Sequence, residues 1–228
     1  MNDSNTEEFH RSRPAVTTIM PVRNGEKFIG AALESLRPEI GPRDEILVVD
    51  DGSTDASAEI ARNFSGPIRV IQQIGSGCAV ARNRALREVA TPWIAFLDAD
   101  DLAYPDRILR LGQRMLEKDL PELVYGGQRR FFDNLPSATE VEEPLACLFG
   151  TMLLEKNVFT RAGLLDSSLR AGEILPWFAK VRQVGTRIAQ LPGPVIRRRQ
   201  HDNNLSATNE YRSAWLTTMR AVLAVRRG

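Results

Sequence analysis

Long apolar runs are missing from this chain. No stretch of its 228 residues approaches the roughly 18 that a membrane-spanning helix needs, so no transmembrane segment is expected. Cysteine is scarce: Cys78 and Cys147 stand far apart, outside any C-x-x-C spacing. A disulfide framework is therefore not expected, and reduced thiols are. Net charge is almost absent, because 30 basic and 29 acidic residues leave +1. That balance gives no global reason to bind nucleic acid or a membrane surface. Residues 1–14 are polar and mixed in charge, without an apolar leader core, and read as a flexible tail on a cytoplasmic protein. Internal repeats and low-complexity segments are also missing.

What is present is ample core material, 43% hydrophobic, in a length that suits one domain. The expected division is a tail at 1–14 and a single domain at 15–228. That domain is expected to divide into two halves, at about 15–120 and about 121–228. Charge is uneven. From Gly193 onward seven arginines (197, 198, 199, 212, 220, 226, 227) face two acids, Asp202 and Glu210, so the remainder is net acidic.

Apolar runs of strand length alternate with helix-length patterns, which predicts an α/β chain with a mostly parallel central sheet flanked by helices. Strands are expected at 16–22, 45–50, 68–73, 93–97, 123–125, 129–132 and 187–191. Helices are expected at 26–36, from a Ser53 or Thr54 cap to 63, and at 78–89, 105–117, 155–162, 173–184 and 211–226. Pro105 suits a first helical position. In the last helix Trp215, Leu216, Met219 and Val222 share the expected buried face. Trp177 and Phe178 read equally well as core or as a stacking surface for a sugar.

The most informative feature is the end of the apolar run 93–97 in Asp98, Asp100 and Asp101. Side chains two apart on a strand point to one side, so Asp98 and Asp100 are expected to converge. Hard oxygen ligands at a strand end suit Mg²⁺ or Mn²⁺, which take one or two carboxylates and complete their shells with substrate phosphates. A second acidic strand end lies upstream at Asp50-Asp51. Ligands of open α/β sheets bind at such carboxyl ends, and crowded carboxylates repel until a cation relieves them. Gly75-Ser76-Gly77 mimics a dinucleotide fingerprint, but Val80 breaks it. Asn63-Phe64-Ser65 and Asn204-Leu205-Ser206 are sequons without a leader.

Residues 16–25, with Pro21, Val22, Arg23 and Asn24, resemble the opening strand of the family 2 glycosyltransferases. Residues 48–55, with Asp50-Asp51-Gly52-Ser53, are similar to that family's second strand end. Ala81-Arg82-Asn83 resembles the helix motif before its DxD, and 96–101 resembles the DxD strand. The likeness is collinear from about 16 to 106. It continues more weakly through Gly163-Leu164-Leu165-Asp166 to Arg199-Gln200-His201.

The resemblance implies a GT-A fold and inverting transfer of a sugar from a nucleotide donor, usually UDP-linked, with Mn²⁺ or Mg²⁺. Pro21, Val22 and Arg23 would line the nucleotide pocket, Asp51 would bind the base, and Arg82 would contact the nucleotide. Asp98 would reach ribose or metal, Asp100 would bind metal, and His201 would complete the metal or diphosphate site. Arg197, Arg198 and Arg199 offer bidentate contacts to the diphosphate; alternation lets only some face the site, and Arg199 is counted as donor-binding.

Two positions depart from the family. Arg23 stands where an aromatic residue is usual, although a guanidinium also stacks on a base. Ile174 stands where the family places its catalytic Asp. The neighbouring Glu173 is then the candidate base, or an acid at a helix N-terminus. The alternative reading is a catalytically weak nucleotide-sugar-binding protein; a nucleotidyltransferase is a remoter one. The acceptor stays open among a sugar, a lipid carrier, a peptide and a small molecule.

Overall fold

In a computed structural model of the chain, residues 3–133, 135–143, 148–201, 204 and 208–225 are described. Cys147, Leu205, Ser206, Arg226 and Arg227 lie outside the described residues. The helices are α1 (Asp3–Ser12), α2 (Ile29–Leu36), α3 (Ser57–Arg62), α4 (Cys78–Glu88), α5 (Arg107–Met115), α6 (Asn157–Ala162), α7 (Ile174–Gln183) and α8 (Asn209–Val225). The strands are β1 (Val16–Val22), β2 (Glu45–Asp50), β3 (Ile68–Gln72), β4 (Trp93–Phe96), β5 (Leu102–Ala103), β6 (Leu123–Phe131), β7 (Val141–Glu143), β8 (Met152–Glu155) and β9 (Ile188–Arg199).

They form one sheet in the order β3-β2-β1-β4-β8-β6-β9-β5, with β7 beside β6. The first four strands are parallel. Beyond β4 the pairing is mixed: β8 is antiparallel to β4 and β6, β5 to β9 and β7 to β6, whereas β6 and β9 are parallel. Strand alternation divides the core into two layers. Met20, Ile46 and Val48 face α2 and α5, packing with Leu33 and Leu111. Ile19, Leu47 and Val49 face the other side, with Ala81, Ala85, Phe159 and Trp177. Because β3 and β4 lie on opposite sides of β1, the strand order reverses there, and a crevice opens above the carboxyl ends of β1, β2 and β4.

Several expectations are corrected. The segment expected as a flexible tail is the helix α1, docked at the amino ends of the strands. Arg13, 1% exposed, follows it and donates to Asp44 Oδ1 at 2.8 Å. Asp44 also accepts from Val16 N and Gly41 N. The helix expected from Ser53 or Thr54 begins only at Ser57, because the would-be caps serve other partners. Ser53 Oγ accepts from Asn24 N, and the Asp55 carboxylate accepts from Glu26 N and Ser57 N. Pro105 lies in the turn before α5, outside the helix.

The two strands expected at 123–125 and 129–132 are one strand, β6. Gly126 and Gly127 mark a bulge against β9, where a Cβ on Gly126 would sit 2.6 Å from Val195 Cγ1. Likewise β9 runs through Pro192-Gly193-Pro194, and the carbonyls of both prolines accept from Arg110. Proline cannot donate to a ladder, and this is where the register slips.

A buried ion pair fixes the floor of the crevice. Arg107, fully buried, donates to Glu39 at 2.6 Å and to the carbonyl of Phe96, the last residue of β4, at 2.7 Å. Burial pushes the Glu39 carboxyl up, and Arg107 opposes that shift.

The docking of α1 has a pH dependence. His10 is 8% exposed, and its Nδ1 accepts from Arg13 Nε and Nη2 at 3.2 and 3.0 Å. Burial first, and Arg13 second, hold this imidazole below its ordinary value of 6.5. Below that pH the unfolded chain binds a proton at His10 that the folded chain resists, so stability falls as pH drops through the interval beneath 6.5. The protection factors of the α1 amides, with the intrinsic exchange rate at each pH divided out, are expected to fall in a step between pH 7.5 and 5.5 in the native chain. In His10→Gln this step should be lost; an unchanged step would exclude His10 as its source.

Candidate active site

The crevice is built from three strand ends. β1 delivers Pro21, Val22 and Arg23. Pro21 and Val22 are buried in the sheet, and the Val22 carbonyl already accepts from Asp51 N at 2.8 Å, so of the three only Arg23 presents its side chain outside. It lays its guanidinium over Gly75, where a Cβ would meet Arg23 Cζ at 3.1 Å.

β2 delivers Asp50 and Asp51, and local amides hold both inward. Asp50, 1% exposed, accepts from Ser53 N and Gln72 Nε2. Asp51, 4% exposed, accepts from Gln73 Nε2 at 2.7 Å, Ser76 N at 2.9 Å and Gly77 N at 2.8 Å. The structure thus places Asp51, expected at the base, as the anchor of loop 73–77. Gly52 completes this junction, with φ at 78° and no room for a Cβ, which would sit 2.7 Å from Gly75 N.

β4 ends at Phe96, before the acidic run, and Asp98–Asp101 is a turn closed by Asp101 N on the Asp98 carbonyl. Strand alternation therefore does not apply, and the two aspartates expected to converge diverge. Asp98 Oδ1 accepts from Arg82 Nη2 at 2.6 Å. Asp100 Oδ2 lies 3.2 Å from His201 Nε2 and 3.2 Å from Asn204 Nδ2. Asp101 is buried and accepts from Arg199 N. Burial, then Asp98, push the Asp100 carboxyl up, with His201 pulling it back. Burial, then Asp100 and Asp98, push Asp101 well up.

Arg82 is the centre of the cluster. It is 5% exposed, lies over the Phe149 ring at 4.6 Å, and donates its second nitrogen, Nη1, to Glu173 Oε1 at 2.7 Å. Its neighbour Asn83 exchanges two hydrogen bonds with the Leu165 backbone. One arm of this motif thus reaches the crevice, and the other ties down loop 163–166.

The late arginines are occupied by the protein itself. Arg199 donates to the Asp100 carbonyl at 2.8 Å and pairs with Asp133. Arg197 pairs with Glu140, and both guanidinia lie over Phe131. His201 does reach the crevice, stacked on Phe28 at 4.4 Å.

Glu173 sits at the N-cap position of α7. Ile174 points into the apolar layer at 8% exposure, beside Trp177. Trp177 is core, with Nε1 donating to the Gly163 carbonyl. Phe178 meets Tyr125 edge-on. On α8 the packed face contains Trp215, against Gly172, and Thr218, bonded to the Ala171 carbonyl. Leu216, expected there, is 46% exposed.

Three contributors escaped the sequence reading. Phe28 falls within the helix expected at 26–36, but it is the residue before α2 and turns its ring onto His201. Asn204 follows His201 by three, the spacing of a turn. Tyr211 lies within the field of Glu173, Asp98 and Arg82; burial first, then the two acids, raise its phenol and keep it a neutral donor.

A parallel half-sheet closed by a mixed half-sheet, with helices on both faces, is the architecture of GT-A glycosyltransferases. S. aureus TarS in complex with UDP-GlcNAc shares it, with a TM-score of 0.76 at 18% identity over 91% of this chain and 65% of that one. So does the mannosyltransferase PcManGT of Pyrobaculum calidifontis in complex with GDP-Man and Mn²⁺, with a TM-score of 0.75 at 18% identity over 99% and 71%. At such identity the likeness shows the fold alone.

The chain belongs to glycosyl transferase family 2, whose model matches residues 17–166. It is 27% identical to the uncharacterized glycosyltransferase EpsJ of Bacillus subtilis (strain 168) over 217 residues, 85% of this chain and 63% of that protein. It is 35% identical to the uncharacterized glycosyltransferase YibD of Escherichia coli (strain K12) over 108 residues, 46% of this chain and 31% of that protein. It thus spans less than two thirds of either relative. Among the described residues, no helix is long and apolar enough to cross a membrane.

The placement of Ile174 yields a prediction. Ile174→Asp would put a carboxylate into the Trp177 layer, and burying an unpaired polar group costs about 1–3 kcal/mol by mutational data. A lowered thermal midpoint is expected; an unchanged midpoint would mean that position 174 can face the crevice.

Proposed function

We propose that this chain transfers a sugar from a nucleoside-diphosphate donor, a UDP-sugar, to an acceptor nucleophile with inversion at the anomeric carbon, and that Mn²⁺ or Mg²⁺ assists. The observation that carries this reading is Asp100 beside His201, residues 101 apart in sequence and 3.2 Å apart at the crevice edge.

The residues fit a divalent cation. A carboxylate and an imidazole are ligands such ions accept. Burial first, and the neighbouring aspartates second, raise the Asp100 and Asp101 carboxyls, and a bound cation would relieve both. Among the described residues no group of three or more His, Cys, Asp or Glu side chains forms a ready cage, which suits an ion whose shell is completed by substrate phosphates. Asp100 and His201 would hold the ion, and Asp98, whose Oδ1 accepts from Arg82, would offer Oδ2. A cation there supplies Lewis-acid neutralisation of the departing diphosphate.

The chain's own groups supply the rest. Arg23 and loop 73–77 frame the base end of the crevice, and Arg82 holds Asp98 and Glu173 in fixed relation. As the acceptor oxygen bonds to the anomeric carbon, the bond to the diphosphate oxygen breaks, and the acceptor's proton passes to Glu173. Oε1 of that carboxylate stays with Arg82, which leaves Oε2 to take the proton. The acceptor, whether sugar, lipid carrier, peptide or small molecule, would approach from the side of Glu173 and Tyr211. Ile174, buried where the family base is usual, favours a second reading: a nucleotide-sugar-binding protein of weak turnover.

Two measurements test this. Titration calorimetry of UDP with Mn²⁺ or with EDTA should show metal-dependent affinity that falls at least about tenfold in Asp100→Ala, the scale of losing one 1.4 kcal/mol contact. Equal affinity in the variant would remove the metal assignment. Hydrolysis of a panel of UDP- and GDP-sugars should identify the donor. Glu173→Gln should then lower turnover by about 10²–10⁴ with UDP affinity retained; unchanged turnover would favour the second reading.

A further inference from the structure

Asn204 makes contacts that the reading above leaves unused. It is 8% exposed, and its amide lies against both residues assigned to the cation. Oδ1 accepts from His201 N at 2.6 Å, and Asn204 N donates to the His201 carbonyl at 3.1 Å. These two bonds close the turn that carries the imidazole. Nδ2 faces three atoms: Asp100 Oδ2 at 3.2 Å, His201 Nε2 at 3.2 Å and the Arg199 carbonyl at 3.3 Å. A primary amide has two hydrogens. The Asp100 carboxylate and the Arg199 carbonyl accept them, which leaves His201 Nε2–H to donate to Asp100. Phe28 fixes the plane of the ring from its other side, at 4.4 Å and 24°. His201 Nδ1 is buried without a partner among the described residues, so the ring is oriented through Nε2 and its stacked face.

We propose that Asn204 is a positioning residue for the metal pair. It sets Asp100 Oδ2 and His201 Nε2 on one point before a cation arrives; the cation would take the place of the Nε2 hydrogen, and the neutral ring would then carry its hydrogen on Nδ1. The proposal rests on the metal reading of Asp100 and His201. Groups that orient metal ligands typically change metal affinity by 10–100-fold when removed. Asn204 would act that way on both ligands at once, because its two ends hold different ones.

The chain contains two histidines, His10 and His201, which makes the imidazole signals assignable. In the metal-free protein, long-range proton–nitrogen spectra should show His201 as a single Nε2–H tautomer. In Asn204→Ala it should average between tautomers as the ring is released. Mn²⁺ binding followed by electron paramagnetic resonance, without nucleotide, should weaken in Asn204→Ala by roughly 10–100-fold. Should Asn204→Ala lose cooperative unfolding, Asn204→Ser carries the same expectation. Native Mn²⁺ affinity and an unchanged His201 tautomer in these variants, with binding lost in Asp100→Ala, would overturn the positioning role and leave the metal site standing. Native affinity in Asp100→Ala would overturn the metal site itself, and this proposal with it.

Discussion

A buried guanidinium between two carboxylates is the interaction on which the crevice depends. Arg82 reaches Asp98, on the turn after β4, with one nitrogen and Glu173, at the head of α7, with the other. The two acids come from different halves of the sheet, and Arg82 ties those halves across the site. Breaking a buried pair by removing one partner costs about 3–5 kcal/mol, because the remaining charge is stranded. Glu173, 12% exposed in its side chain, would be stranded in that way. Stacking on Phe149 adds a flat support that a lysine could not match.

The acids of the crevice are not equivalent. Backbone and side-chain amides hold Asp50 and Asp51, Arg82 holds Asp98, and the Arg199 amide caps Asp101. Asp100 is held through an imidazole and a carboxamide. Neither carries a permanent positive charge, so no guanidinium or ammonium of the protein occupies its carboxylate. That is the arrangement expected of a ligand meant to meet a cation, because a protein cation already in place would compete for the carboxylate.

Local pattern made the parallel half of the fold legible. β1 and β2 fall where alternating apolar runs place them, and β4 stops one residue early. The second half is harder to read because its strands contain glycine and proline, residues that by local propensity interrupt strands. Gly126-Gly127 and Pro192-Gly193-Pro194 lie inside long strands, as a bulge and its partner, and only the pairing of β6 with β9 reveals it. Among site residues, those in sequence motifs lie at the crevice, and the structure adds their protein partners. Asp51 holds loop 73–77, Arg82 joins Asp98 to Glu173 and Arg199 pairs with Asp133, contacts that a motif does not reveal because it fixes which residue is present, not which way a buried side chain turns. Phe28, Asn204 and Tyr211 were missed since each matters only through contacts made across the chain.

The pairing of β5 with β9 also bears on biosynthesis. The acidic turn leaves the ribosome with the first half of the chain, whereas its backbone cap at Arg199 comes 98 residues later and His201 later still. The chain emerges from the ribosome N-terminal end first, at about 5–20 residues per second. A nascent parallel half-sheet would carry Asp98, Asp100 and Asp101 without Arg199, His201, Asn204 or Glu173. Repulsion among those acids would hold the turn open until β9 arrives. The last third of the chain thereby becomes the step that converts an open half-sheet into a closed site.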